Sequence, residues 1–456
     1  MQFDQLFFVF VFLPLGILLY AFVPARLKNA ALLLISLVFA AWGRPFDAAL
    51  IVASGIFNYI AGLLMGVLRE NGKRRAAAAV LVFGAAVDIA LLALYRYLPA
   101  ALPVLRGLSA PVGLSFFTFS EIGYLFDVNK GTCRPQRDPV KFLLFVTLFV
   151  KLVSGPIASY HGLENQLSVR KSTLSRSDAG LVRFTVGLAK KLLIADALGR
   201  IFAQLSAQGA QSVLGAWITA LCYAFTLYYD FSGYSDMAIG LGSLFGFDLP
   251  ENFIYPYVCD TMTGFWRSWH ASLGAWFRDY VYIPLGGSRK GKLRTVLNLL
   301  AVWILTGLWH GATLCFIVWG LYHFTLLFLE KFVFGGIVPK IPKVIRVPFV
   351  FLAAVIGWVP FFSGDIGSAL GLLEKMFGGA PLTVSTDLYW LGVCAPIMIA
   401  AAVGAAGLPA KLHAKLSGRS PAVMKAVGAV GAVVLLALCA AVMTGQTYVS
   451  FLYAGF

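Results

Sequence analysis

Apolar runs long enough to cross a lipid bilayer recur throughout this chain. They fall at about residues 5–24, 30–48, 49–68, 76–98, 140–158, 211–229, 295–309, 312–330, 345–363, 387–407 and 422–445. One crossing takes ~20 apolar residues, and no single aqueous core could hold so many. Of 456 residues, 60% are hydrophobic and 12% charged, against roughly 25% charged in a soluble domain. The bilayer is therefore the solvent for most of the chain, and the expected fold class is all-α: a polytopic membrane protein with roughly 10–13 transmembrane or re-entrant helices. The first run lacks an A-x-A-type cleavage site, so it reads as a retained span rather than a signal peptide.

The formal charge of +16, from 36 Lys and Arg against 20 Asp and Glu, would suit a nucleic-acid binder if it formed one patch. Instead the cations sit in short connections: Arg26 and Lys28; Arg69, Lys73, Arg74 and Arg75; Lys340, Lys343 and Arg346; Lys411, Lys415 and Arg419. That distribution is the positive-inside pattern, argues against a nucleic-acid partner, and places the N-terminus outside. Six cysteines without a CxxC pair suggest neither a zinc site nor a disulfide framework.

Three stretches do not read as simple crossings. Segment 111–128 is apolar yet holds Glu121 and Asp127. Segment 180–206 mixes Lys190, Lys191, Asp196 and Arg200 with apolar residues at helical spacing, which suits a helix lying in the membrane interface. Segment 228–291 is too polar and glycine-rich for one regular helix, and irregular backbone at membrane depth survives only in protein or beside a water-filled cavity. Residues 111–330 are therefore expected to line a cavity, with 1–110 and 331–456 as flanking scaffold in a single domain.

Chemistry in such a chain needs polar groups at depth, and there are only five histidines. His310, in LTGLWHGATLCFIVWG, lies in a stretch with no charged residue between Arg294 and Glu330. Burying an imidazole costs a few kcal/mol unless it finds a partner, and desolvation favours the neutral form that a base or acyl acceptor needs. An interhelical hydrogen bond is the blander alternative. Gly307 and Gly311 give close helix packing, room for a substrate chain to approach the imidazole, or both. His270 closes FWRSWH, where Trp266, Trp269, Trp276, Tyr280 and Tyr282, with Arg267 and Arg278, resemble an interfacial aromatic belt. His323 stands 13 residues beyond His310, roughly 20 Å away on a continuous helix, so the two should not share a centre. His161 and His413 read as solvated loop residues. Asp230 and Asp236 are candidates to hold Arg267, Arg278 or a histidine, and Asp279 is comparable. The basic loop Ser288 to Arg294 could take phosphates. No Walker, Rossmann or G-x-S-x-G pattern occurs.

Taken together, YYDFSGYSDMAIGLGSLFGFDLPENF, FWRSWHASLGAWFRDYVYIPLGG and GLWHGATLCFIVWGLYHF resemble the membrane-bound O-acyltransferase (MBOAT) family, in particular its bacterial alginate-type polysaccharide O-acetyltransferases. Upstream, PVGLSFFTFSEIGYLFDV, LVSGPIASYHGLENQL and GLAKKLLIADAL match in order and spacing; the likeness covers about residues 5–380. It implies helices around a funnel-shaped cavity, a multi-pass protein of the bacterial inner membrane, and His310 as principal catalytic histidine with His270 as the second. Asp230, Asp236, Trp266, Arg267, Trp269, Arg278, Asp279, Tyr282 and Trp309 would support or bind the donor. The family pattern departs at Val150–Lys151, where Pro-Gln is common, at Ser159 and Ser268, where Arg is common, and at Glu121. None of these touches His310, but they weaken alginate as the acceptor.

The resulting expectation is O-acetyl transfer from cytoplasmic acetyl-coenzyme A, or an acyl carrier, to an extracytoplasmic polysaccharide through a separate partner protein, with no permanently bound cofactor. D-alanyl transfer to teichoic acid is the alternative. An ion-coupled transporter using Asp230, Asp236 and Glu121 is a second, but it predicts inverted repeats that the sequence lacks.

Overall fold

The structure is a computed structural model that describes residues 1–170 and 173–445, so the end of the 331–456 flank lies outside the described residues. Among the described residues all regular structure is helical. Among the described residues seven helices are long and apolar enough to cross a membrane: Pro45–Glu70, Arg74–Arg96, Lys292–His310, Leu314–Val333, Lys343–Phe362, Ser385–Ala405 and Pro421–Gly445. The shorter Phe8–Phe22 is also apolar. The chain divides into two compact units. Of the described residues, one holds Met1–Leu188, Tyr234–Glu251 and 440–445; the other holds Ala189–Gly233 and Asn252–Cys439.

In the first unit, helix Leu114–Lys130 is buried on nearly every side, as a helix apolar all round must be. Two glycines let neighbouring spans approach it. A Cβ on Gly62 would come within 2.5 Å of the Tyr124 ring, and one on Gly84 within 2.6 Å of Leu125. Its Glu121 is met from one of those spans, Ser54 Oγ donating to Oε2 at 2.7 Å, and the two spans are themselves joined by Asn58 Nδ2 donating to Asp88 Oδ1 at 2.9 Å. Lys151 is buried too. Its Nζ donates to Ser120 Oγ at 2.8 Å and lies 4.4 Å from the Phe145 ring centre. Glu121 and Lys151, two of the departures from the family pattern, thus fall in one buried neighbourhood. His161, expected to be solvated, has its Nδ1 2.9 Å from Asp127 Oδ2.

Helix Val213–Leu244 corrects the sequence reading. The polar run YYDFSGYSDM lies inside one continuous helix rather than in irregular backbone; the chain becomes irregular only beyond it. Its carboxylates are neutralised in place. Within the first unit, the Arg183 guanidinium bridges Asp236 Oδ1 at 2.8 Å and Glu251 Oε2 at 2.6 Å. Within the second, Lys191 Nζ lies 2.8 Å from Asp230 Oδ1 and 2.7 Å from Asp196 Oδ1. Lys191 is 1% exposed, so the charges of 180–206 do not form the wetted face of an interfacial helix; Lys191 and Asp196 turn inward.

The second unit is built on the hairpin of Lys292–His310 and Leu314–Phe328. The two backbones touch where glycines face each other. A Cβ on Gly307 would stand 2.5 Å from the Phe316 carbonyl oxygen, and one on Gly320 would stand 2.5 Å from that of Trp303. Gly307 therefore serves close packing of the two helices.

Candidate active site

His310 is the last residue of its helix. The chain leaves in extended conformation at Gly311, and the next helix starts after Thr313. Gly311 is required because a Cβ there would meet the Phe316 ring at 2.5 Å. The break carries the His310 ring into aromatic walls: Trp309 at 4.6 Å between ring centres, Trp319 and Phe361 at 4.9 Å, and Phe316 at 6.0 Å. It is 5% exposed.

His270 sits at another break. Helix Met262–Ser268 stops, Trp269 is extended, and His270 takes left-handed backbone (φ 44°, ψ 49°) before helix Ala271–Phe277. Histidine is among the few non-glycine residues enriched there. Two backbone bonds hold the break, from Ala271 N to Asn252 O at 2.9 Å and from Ile254 N to Ser268 O at 3.0 Å. The ring is buried, edge-on to Phe231 at 4.6 Å, and its Nδ1 is 3.0 Å from Asn252 Oδ1. Burial holds this imidazole well below its ordinary value, at about 3, so it is neutral.

Trp309 joins the two histidines: its ring centre is 6.2 Å from that of His270 and 4.6 Å from that of His310. Residues 40 apart in sequence are thus brought around one indole. Trp269 packs on Trp358 at 4.7 Å and Trp266 on Trp303 at 4.7 Å, as walls of the same cluster rather than an interfacial belt. His323 is fully buried among Trp266, Trp303, Trp319 and Tyr322. The expected long separation from His310 does not hold, because the helix turns back at Gly311 and both imidazoles pack on Trp319.

The remaining candidates have other partners or surroundings. Arg278 pairs with its neighbour Asp279 at 2.7 Å, Arg267 is exposed and Tyr282 is half-buried. Asp230 takes Lys191 as its cation and precedes Phe231, the residue packed on His270; Asp236 belongs to the other unit. The basic loop from Ser288 to Arg294 is exposed. Two supporting residues carry no obvious sign in the sequence. Asn252 is one. Glu330 is the other: its carboxylate accepts from Met262 N at 2.5 Å, Thr263 N at 3.0 Å and Thr263 Oγ1 at 2.5 Å. An anion over a helix N-terminus is favourable, and here it fixes the helix that carries Trp266.

The profile of the membrane-bound O-acyltransferase family matches residues 136–342, a span that contains both histidines. A probable alginate O-acetylase of Azotobacter vinelandii is 38% identical over 399 residues, covering 84% of this chain and 80% of that protein. A peptidoglycan O-acetyltransferase of Helicobacter pylori is 33% identical, with coverages of 81% and 79%. A teichoic acid D-alanyltransferase of Bacillus subtilis is 29% identical over 48% of this chain and 60% of its own length. A multi-pass helical membrane protein with these motifs, similar to such relatives across most of its length, is an O-acyltransferase, and the chain belongs to the membrane-bound O-acyltransferase family.

Proposed function

We propose that this enzyme moves an acetyl group from cytoplasmic acetyl-coenzyme A to a hydroxyl of an extracytoplasmic polysaccharide, from the bacterial inner membrane and with a separate partner protein outside. The observation that carries this reading is the meeting of two buried imidazoles around Trp309. The thioester C–S bond breaks and the acetyl carbon bonds to the hydroxyl oxygen. His310 takes the hydroxyl proton, or carries the acetyl group in between, and the leaving thiolate collects a proton. His270 orients the donor or meets the charge developing on the carbonyl oxygen. The cations of the exposed 288–294 loop suit the donor's phosphates.

Acetyl rather than D-alanyl transfer is favoured because the acetyl-transferring relatives match over some four-fifths of the chain and the D-alanyltransferase over about half. The transporter reading loses support because Asp230 and Asp236 are each closed by a cation. In cells, His310→Ala should remove base-labile acetyl esters from the envelope polymer while the protein stays folded and inserted. Mass spectrometry of the released esters reads the outcome. Undiminished acetate in that variant refutes the role of His310, and alanine in place of acetate refutes the donor.

A further inference from the structure

We infer that Asn252 fixes the tautomer of His270, so that this ring offers the reactants a lone pair on Nε2 and not a proton. This rests on the placement of His270 in the transfer site.

Asn252 Oδ1 lies 3.3 Å from Ser272 N, 2.9 Å from Ser272 Oγ and 3.0 Å from His270 Nδ1. A backbone N–H can only donate, so the side-chain atom it faces must be the amide oxygen; this decides the orientation of an amide whose O and N are otherwise nearly alike. That oxygen has no proton to give, so His270 Nδ1 must carry one. A neutral imidazole has a single N–H, and burial keeps this ring neutral. Nε2 is therefore the bare nitrogen. It is buried and has no hydrogen-bond partner among the described residues, which leaves it available for a group that arrives with the substrates.

The chemistry follows from the lone pair. Nε2 can accept a hydrogen bond from an N–H of a pantetheine-like donor arm or from an acceptor hydroxyl. It cannot donate to a developing oxyanion, so of the two roles open to His270, accepting from a reactant is the one this geometry allows. Asn252 is then a positioning residue. Its side chain orders the ring and its backbone carbonyl holds Ala271, which keeps His270 in its left-handed turn.

The test is nitrogen NMR of histidine-labelled full-length protein in lipid, with the His270 signals assigned by their loss in His270→Asn. The expected spectrum has a protonated Nδ1 and a bare Nε2. A protonated Nε2 overturns the inference whether or not the enzyme is active. Asn252→Asp keeps an acceptor for all three donors and should keep Nδ1 protonated, while its charge favours a second proton on Nε2. Asn252→Ala should lose the single-tautomer signature and lower kcat by roughly ten- to a hundredfold, the usual effect of removing a group that orients a functional histidine, with little change in KM for acetyl-coenzyme A. Wild-type kcat in Asn252→Ala would overturn the positioning role. Full transfer by His270→Ala would instead overturn the site itself, while the tautomer measured in the wild type would stand.

Discussion

Replacing Lys191 with Met tests how the polar core of the second unit is held. The ammonium lies 2.7 Å from Asp196 and 2.8 Å from Asp230, and all three side chains are 6% exposed or less. Met keeps the length of the side chain and removes the charge, taking from two carboxylates the ammonium they share. Breaking a buried ion pair from one side costs ~3–5 kcal/mol, mostly because the remaining charge loses its partner, and a loss in that range is expected at pH 8. Near pH 5 the loss should shrink, because the two acids can take up a proton between them. Lys191→Met/Asp196→Asn/Asp230→Asn should recover most of the stability, since removing the whole set also removes the two charges that shared the ammonium. The assay is unfolding in mixed micelles, followed by tryptophan fluorescence. Acetyl transfer should fall with stability, because Phe231, next to Asp230, packs on His270. A single variant within ~1 kcal/mol of wild type at pH 8, or a triple variant no better than the single one, would refute the reasoning.

Two other tests address separate parts of the molecule. His270 has a native value near 3 against an ordinary 6.5, so the unfolded chain binds its proton first as pH falls. Stability should be unaffected by this group above about pH 6.5 and lost below it, by up to ~1.4 kcal/mol per unit; unfolding at pH 7 and pH 5 should show wild type losing more than His270→Phe. In the first unit, Glu121→Gln and Lys151→Gln should each destabilise, and their double-mutant cycle should show coupling of ~0.5–3 kcal/mol; strict additivity would mean that the two buried charges do not sense each other.

Much of this was legible in the sequence. Twenty-residue apolar runs announce helices, and the lone histidine of GLWHGA announces itself by the cost of burying it. The failures share one cause: partners distant in sequence. The polar run after Tyr228 reads as a helix breaker until Lys191 and Arg183 arrive from elsewhere to neutralise its acids. His323 appears remote from His310 until Gly311 turns the chain back. Asn252 looks like any asparagine following a glutamate, because its task is set by Ser272 and His270, about twenty residues on. Trp266 and Trp269 have the composition of a membrane-interface belt, and only packing against Trp303 and Trp358 makes them part of a core.

The helix Pro421–Gly445 stands apart from all this. Val423, Val427, Val430, Val433 and Leu438 are exposed along it, and Cys439 is its one fully covered side chain among the described residues. Its exposed face is apolar along its length, as a lipid-facing surface would be. Extraction into detergent replaces lipid there with a softer support. Amide hydrogen exchange along this helix will therefore report on the chosen detergent or nanodisc, while exchange at the His310 hairpin reports on the enzyme.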